Sequence, residues 1–80
     1  MTDQITSRQD FADFVNKLHR DLQTNPTTWT NVNLSDFLEA MSRYTEDIGG
    51  YYKNTNQNVN ADNASWRVFA DILMGAKMYE

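Results

Sequence analysis

The stretch that decides the fold is residues 64–79, which read Ala-Ser-Trp-Arg-Val-Phe-Ala-Asp-Ile-Leu-Met-Gly-Ala-Lys-Met-Tyr. At about 100° per residue, its apolar side chains form two adjoining stripes that together cover about 220° of a helical wheel. A helix that buries only one side shows a stripe of roughly half that width. The stretch therefore predicts a central helix with a neighbour on either side. The remaining arc, which we expect to face outward, carries Arg67, Asp71, Met74 and Met78.

The first neighbouring helix is predicted over residues 7–24. Its apolar residues recur at the spacing of one helical face, and Ser7 is a residue type that caps helix N-termini well. The helix should end before Pro26, because the residue that precedes a proline is pushed out of the α region. Proline itself favours the first position of a helical turn, so we predict a short turn near residues 26–30.

The second neighbouring helix is predicted over residues 34–48, with Asn33 as its N-cap. The glycine pair 49–50 should stop it, since glycine readily takes the left-handed conformation that closes a helix. Residues 53–63 are polar and rich in asparagine, which predicts a long loop. No stretch alternates as a strand does. The sequence thus predicts a single all-α domain over residues 1–80, a small bundle of three main helices.

The charge of the chain indicates which partners it can have. Its 80 residues carry a net charge of −4, and the pI is near 4.7. Nucleic acids and anionic membranes attract basic surfaces, so we expect neither as a partner.

No basic segment precedes an apolar run, and no stretch reaches the ~18 apolar residues of a membrane span, so a soluble, cytoplasmic protein is expected. The absence of cysteine excludes disulfides and thiolate metal sites.

No arrangement of residues predicts an active site, a metal site or a cofactor. His19 is the single histidine and has no Cys or Ser partner, so we expect a boundary residue. Asparagine and aspartate alternate over residues 54–62 as in a calcium loop. However, Val59 and Ser65 stand where an EF-hand needs glycine and glutamate. Most acids on the predicted helices have a base four residues away, which is typical of a solvated face. We therefore expect that the protein is not an enzyme and uses no cofactor.

Aromatic and methionine side chains near the helix ends are the candidate contact residues. Trp and Tyr are favoured at binding hot spots, and methionine adapts to irregular partner surfaces. The candidate partner surface therefore consists of Trp29, Tyr51, Tyr52, Met74 and Met78. The alternative is that Trp29 and the tyrosines seal the ends of a small core, which a domain of this size needs.

Four stretches of the chain resemble a known family. They are Asn25-Pro26…Trp29-Thr30-Asn31, Leu34…Phe37-Leu38-Glu39-Ala40-Met41, Gly50-Tyr51-Tyr52…Asn54, and Trp66-Arg67…Phe69-Ala70-Asp71…Leu73…Ala76…Tyr79-Glu80. From Phe11 to Glu80 the chain resembles a family of short bacterial proteins described as a domain of unknown function. The resemblance implies a bacterial, cytoplasmic protein. It brings no catalytic residues, because no activity is assigned to that family.

Two functions follow as hypotheses. The first is a protein-interaction module, an acidic helical domain that docks on another protein, and its preferred partner would be basic. One version is an immunity- or antitoxin-like protein that covers a basic site with its acids. The second is a small-molecule binder with a pocket between helices two and three, near Tyr44, Tyr51 and Trp66. We expect a monomer, or a weak homodimer if Met74 and Met78 form a seam.

Overall fold

Three helices make up most of the molecule. The structure is a computed structural model that describes residues 2–80. Its elements in chain order are a 3-10 turn Thr2–Gln4, helix α1 Arg8–Thr24, a 3-10 turn Pro26–Thr28, helix α2 Leu34–Asn54 and helix α3 Trp66–Met78. No strand occurs within the described residues. The predicted all-α bundle of three main helices, with a short turn after the first, is confirmed.

Helix α3 lies in the middle, as its two apolar stripes predict. It packs against both α1 and α2, which have little direct contact with each other. The buried apolar residues come mainly from α2 and α3; they are Trp29, Ala40, Ile48, Tyr52, Val68, Ala70 and Ala76. Helix α1 contributes no fully buried residue. It covers α3 with partly buried side chains such as Phe11, whose ring centre lies 5.4 Å from that of Trp66.

Side-chain caps fix where the helices begin. The hydroxyl of Ser7 accepts a hydrogen bond from an amide N–H of the first turn of α1 at 3.0 Å. The side-chain oxygen of Asn33 does the same for α2 at 2.8 Å. Both predicted N-caps are therefore confirmed. Ser65 caps α3 in the same way, so that helix begins two residues after the predicted residue 64.

Helix α2 runs past the glycine pair 49–50, so its predicted end at residue 48 is wrong; the helix ends at Asn54. The reason is Tyr52, which follows Ile48 by one helical turn and lies on the same face. Both side chains are only 1% exposed. A helical glycine costs about 1 kcal/mol relative to alanine, so the pair weakens the helix without forbidding it. Burying a large side chain such as Tyr52 stabilises by roughly 1.5–3 kcal/mol, and a buried hydrogen bond adds to this.

Asparagine, not glycine, closes the end of α2. Asn56 takes the left-handed conformation, with φ 58°. Its amide N–H donates to the carbonyl oxygen of Lys53 at 3.2 Å, and the amide N–H of Gln57 donates to the carbonyl oxygen of Tyr52 at 2.9 Å. This pair of bonds defines a Schellman C-cap, in which asparagine is the second choice after glycine. The asparagine-rich loop therefore begins at Thr55, two residues later than predicted.

Glycine has a packing role elsewhere, at Gly75 of α3. A Cβ atom placed there would overlap the ring of Tyr44, so this close contact between α2 and α3 requires a residue without a side chain. We expect Gly75→Ala to lower the free energy of unfolding by about 1–3 kcal/mol, the usual cost of overpacking. Gly49→Ala is the matched control, because no atom lies within 4 Å of its added Cβ.

The control variant Gly49→Ala should stabilise the protein by about 0.4–1 kcal/mol, because alanine reduces the freedom of the unfolded chain. Urea unfolding of the two variants measures the difference. Shifts of the same sign and size in both variants would contradict the close contact between Gly75 and Tyr44.

Candidate functional site

The five residues predicted as a partner surface divide into two groups. Tyr51, Met74 and Met78 are exposed, with 42%, 44% and 53% of their surface accessible to solvent. Trp29 is 8% exposed and Tyr52 is almost completely buried. Trp29 and Tyr52 therefore agree with the alternative interpretation of these residues, in which they seal the core and do not lie on the surface. That the exposed three contact a partner stays a prediction.

The three exposed residues line one cleft between α2 and α3. The cleft has a volume of ≈ 330 Å³, and we refer to it as the tyrosine cleft. Its lining residues are Tyr44, Tyr51, Asp71, Met74, Gly75, Met78 and Tyr79. Tyr44 can lie against the backbone of α3 because Gly75 has no side chain. The two methionines are four residues apart on α3, so both thioethers lie on the same side of that helix.

Three tyrosine rings form the aromatic part of the tyrosine cleft. The ring centre of Tyr44 lies 6.3 Å from that of Tyr51 and 5.2 Å from that of Tyr79. The planes meet at 50° in the first pair and at 70°, edge to face, in the second, as aromatic quadrupoles favour. The Tyr79 hydroxyl donates a hydrogen bond to Asp47, which fixes this ring. Burial, followed by the charges of Tyr51, Asp71 and Tyr79, raises the pKa of Tyr44.

A buried hydrogen bond lies beside the tyrosine cleft. The Tyr52 hydroxyl donates to Asp71 Oδ2 at 2.5 Å, and both residues are buried. Burial, followed by this hydrogen bond, raises the pKa of Tyr52. The prediction that Asp71 faces outward is therefore wrong. The physical reason is the longer α2, which brings Tyr52 opposite this side of α3, where the sequence predicted no helix.

Arg67 connects Asp71 to the loop after α2. Its Nε lies 3.9 Å from Asp71 Oδ2, and its Nη2 donates to Gln57 Oε1 at 2.5 Å. Arg67 and Asp71, which the sequence places together on the outward arc of α3, thus form an ion pair, but this pair is partly buried and not solvated. The bond to Gln57 ties the start of the loop to α3.

The tyrosine cleft adjoins a larger cavity along α3. This cavity of ≈ 640 Å³ shares Tyr51, Asp71 and Met74 with the cleft. Its other lining residues are Thr2, Gln4, Ile5, Asp10, Asp13, Phe14 and Lys17. We call the tyrosine cleft and this cavity together the acidic groove, because three aspartates and one lysine line it. Such an excess of carboxylates favours a positively charged occupant.

Trp29 belongs to a polar cluster that ties the last turn of α3 to the segment after α1. Its indole Nε1 donates to Asp21 Oδ2 at 2.9 Å, and Lys77 Nζ donates to the same oxygen at 2.8 Å. The hydrogen bonds from Lys77 and then from Trp29 hold the pKa of Asp21 below its usual value. Asn31 Nδ2 donates to a carbonyl oxygen in the last turn of α3 at 2.9 Å. The Trp-x-Asn stretch thus has a structural role.

Trp66 does not line the tyrosine cleft. Its ring centre lies 5.4 Å from that of Phe11 on α1 and 5.8 Å from that of Phe69. The pocket predicted near Tyr44, Tyr51 and Trp66 is therefore assembled only in part. The two tyrosines share one cleft, and the tryptophan packs toward α1.

Asp71 and Tyr79 join the site in a way that the sequence does not predict. Asp71 is predicted to face outward, and Tyr79 is not among the candidate contact residues. The available signal was Gly75, since a glycine inside a helix costs about 1 kcal/mol relative to alanine and is compatible with a close packing contact. Here the glycine admits the ring of Tyr44, and Tyr79 packs against that ring.

A second groove lies between α1 and the start of α2. It is apolar and has a volume of ≈ 320 Å³. Val15, Leu22, Leu34 and Phe37 are among its lining residues, and Leu34 remains largely exposed. The apolar faces predicted for the first two helices therefore stay partly open here, because α1 and α2 have little direct contact.

The described residues carry neither a metal cluster nor a membrane span. Across residues 2–80, no group of three or more His, Asp or Glu side chains is placed to hold a metal ion. In the same range, no helix combines the length and the apolar character needed to cross a membrane. His19 is exposed on α1 and lines the apolar groove.

These features define an all-α protein of three helices with an acidic, tyrosine-lined groove. Comparison with family models then identifies its family. Residues 7–80 match the model of the "Family of unknown function (DUF7660)", and the chain belongs to this family. The predicted resemblance to a family of unknown function is confirmed. No curated protein and no solved structure matches the chain.

Proposed function

We propose that this chain is a protein-interaction module, which acts by binding and not by catalysis, and that its docking surface is the acidic groove. One observation carries the proposal. Tyr51, Met74 and Met78 are exposed, are of types favoured in interfaces, and line a single groove. Isolated exposed apolar residues occur on every protein surface, whereas a contiguous group is typical of a binding site.

The charge of the acidic groove supports a basic partner. Asp10, Asp13 and Asp71 line it with Lys17, and the whole chain carries a net charge of −4. Such a surface steers the approach of a partner with the opposite charge. An immunity- or antitoxin-like protein that covers a basic site is one form of this function. We also propose the bacterial cytoplasm as its compartment, for which the family resemblance is the support.

Site-specific photocrosslinking in cells tests the interaction module. A benzoylphenylalanine in place of Met78 stands in the acidic groove. The same probe in place of Leu38 is the control, because Leu38 is 49% exposed and does not line the groove. We expect the probe at position 78 to capture one basic protein and the probe at position 38 to capture none. Tyr51→Ala should weaken binding of that protein about tenfold, the effect of losing one hot-spot residue.

Two results would count against this proposal. The first is equal capture from positions 78 and 38, because the groove would then have no preference. The second is capture of another copy of this chain at position 78, which would favour a homodimer seam at Met74 and Met78.

The tyrosine cleft also supports a second candidate function, the binding of a small molecule. Its volume of ≈ 330 Å³ falls at the low end of the range of about 300–1,000 Å³ for ligand pockets. A ligand that binds only the folded state raises the melting temperature. A metabolite that does so for the wild type but not for Tyr51→Ala would favour this candidate. An equal rise in both proteins would count against the cleft as its site.

A further inference from the structure

The tyrosine cleft has the aromatic lining of a site for an organic cation. Aromatic faces attract ammonium and guanidinium groups within about 6 Å of the ring centre, and cages of several rings are the functional use of this attraction. Tyr44, Tyr51 and Tyr79 supply three rings. Their planes meet at 50° and 70°, so the rings are not stacked flat and they bound the cleft in different directions.

Negative charge accompanies these rings. Asp71 lines the cleft, and Asp47 holds the hydroxyl of Tyr79. Arg67 offsets part of the charge of Asp71 from 3.9 Å, but its Nη2 is bonded to Gln57 and it does not line the cleft. Within the part of the chain that the structure describes, no lysine or arginine lines the cleft. A cation that enters therefore meets rings and a partly desolvated carboxylate, whose field is stronger than in water.

The two methionines of the cleft can contact the aliphatic part of a ligand whose charged end lies against the rings. Met74 and Met78 are exposed, and their thioether chains are flexible and polarizable. Long basic side chains bury an aliphatic stem along apolar surface while the charged head lies elsewhere. The cleft thus offers separate surfaces for the stem and for the head of a basic side chain.

We infer that the tyrosine cleft binds an arginine side chain of the partner, with the guanidinium against the tyrosine rings and the stem along the methionines. This inference rests on the proposed function, because it names the chemistry that the docking groove recognises. Arginine fits better than lysine, since its planar guanidinium stacks on aromatic faces and is more weakly hydrated than an ammonium. The volume of ≈ 330 Å³ suits one side chain.

Titration with two matched peptides tests this inference. The probes are acetyl-Ala-Arg-Ala-amide and its citrulline analogue, in which a neutral urea replaces the guanidinium with nearly the same shape. The readout is the NMR shift of the Met74 and Met78 methyl groups. We expect the arginine peptide to bind about 2- to 30-fold more tightly, the range of a single cation–aromatic contact. Tyr51→Leu should remove most of this preference, and Leu38→Ala should leave it unchanged.

Choline and its neutral analogue 3,3-dimethylbutanol form a second matched pair of probes. A larger preference within this pair than within the peptide pair would assign the cleft to a free ammonium ligand and overturn the arginine assignment. Equal shifts with both peptides, or no shift with either, would also overturn it. Capture at position 78 tests the proposed function separately. A captured partner without any preference for the arginine peptide would remove only the cation site.

Discussion

Replacing Tyr52 by alanine is expected to remove a large part of the free energy of unfolding of the protein. Tyr52 is buried between α2 and α3, and its hydroxyl donates to Asp71. Truncation of a buried aromatic residue costs about 3–5 kcal/mol. At roughly 0.05–0.15 kcal/mol per residue, the 80 residues of this chain have a total stability of about 4–12 kcal/mol. The variant also leaves Asp71 buried without its hydrogen-bond donor, which adds to the loss.

The neighbouring tyrosine is the control for this variant. Tyr51 is exposed, so Tyr51→Ala should change the free energy of unfolding by less than about 1 kcal/mol. Thermal unfolding followed by circular dichroism should show a Tm for Tyr52→Ala that is lower by about 12 °C or more. Tyr52→Phe keeps the ring and should cost about 1–3 kcal/mol through the lost hydrogen bond. Equal Tm values for the two alanine variants would contradict the extension of α2 that buries Tyr52.

Trp29→Ala is expected to lower the free energy of unfolding by about 3–5 kcal/mol, the same range as for Tyr52→Ala. The indole is buried, and its ring centre lies 6.1 Å from that of Phe37. Its loss also removes a donor to Asp21 and the aromatic face near the Lys77 ammonium, which lies 5.4 Å from the ring centre. Urea unfolding measures the effect. A change below about 1 kcal/mol, the size usual for a surface residue, would contradict the place of Trp29 in the core.

Trp29→Phe isolates the hydrogen bond to Asp21, because it keeps an aromatic ring. In the folded protein, Lys77 and then Trp29 lower the pKa of Asp21 from its usual 3.8. A carboxyl whose pKa is lower in the folded state stabilises the protein above the unfolded-state pKa. This contribution is lost as the pH falls through the folded-state pKa. Stability below pH 3.8 should therefore decrease less steeply in Trp29→Phe than in the wild type, as urea unfolding at a series of pH values measures.

Local signals in the sequence predicted the features that depend on neighbouring residues. Ser7 and Asn33 accept the capping hydrogen bonds that their side chains are suited to accept. The double apolar stripe predicted that α3 lies between the other helices, and the gap in that stripe predicted the exposure of Met74 and Met78. Each of these features follows from residue type and helical spacing alone.

The end of α2 could not be predicted in this way, because it depends on a contact with a distant residue. The glycine pair 49–50 is a strong local stop signal, but Tyr52 finds its hydrogen-bond partner 19 residues away at Asp71. A helix that ends at residue 48 does not carry Tyr52 along α3, so the sequence could not place the Tyr52 hydroxyl next to Asp71. This one contact between Tyr52 and Asp71 thus explains why the end of α2 and the position of Asp71 were predicted wrongly. It also explains why the full lining of the adjoining tyrosine cleft was not predicted.

Helix α1 contributes no fully buried residue and has little contact with α2, so it is attached mainly through one face to α3. Elements with few buried apolar contacts open separately, at a lower free energy than the whole domain. We therefore expect the backbone amides of α1 to exchange with solvent through a partial opening that leaves α2 and α3 together. Because Asp10, Asp13 and Phe14 of α1 line the acidic groove, the same opening should widen it. We therefore expect the width of the groove to vary within the native ensemble, and a partner that docks there as proposed would bind its wider members.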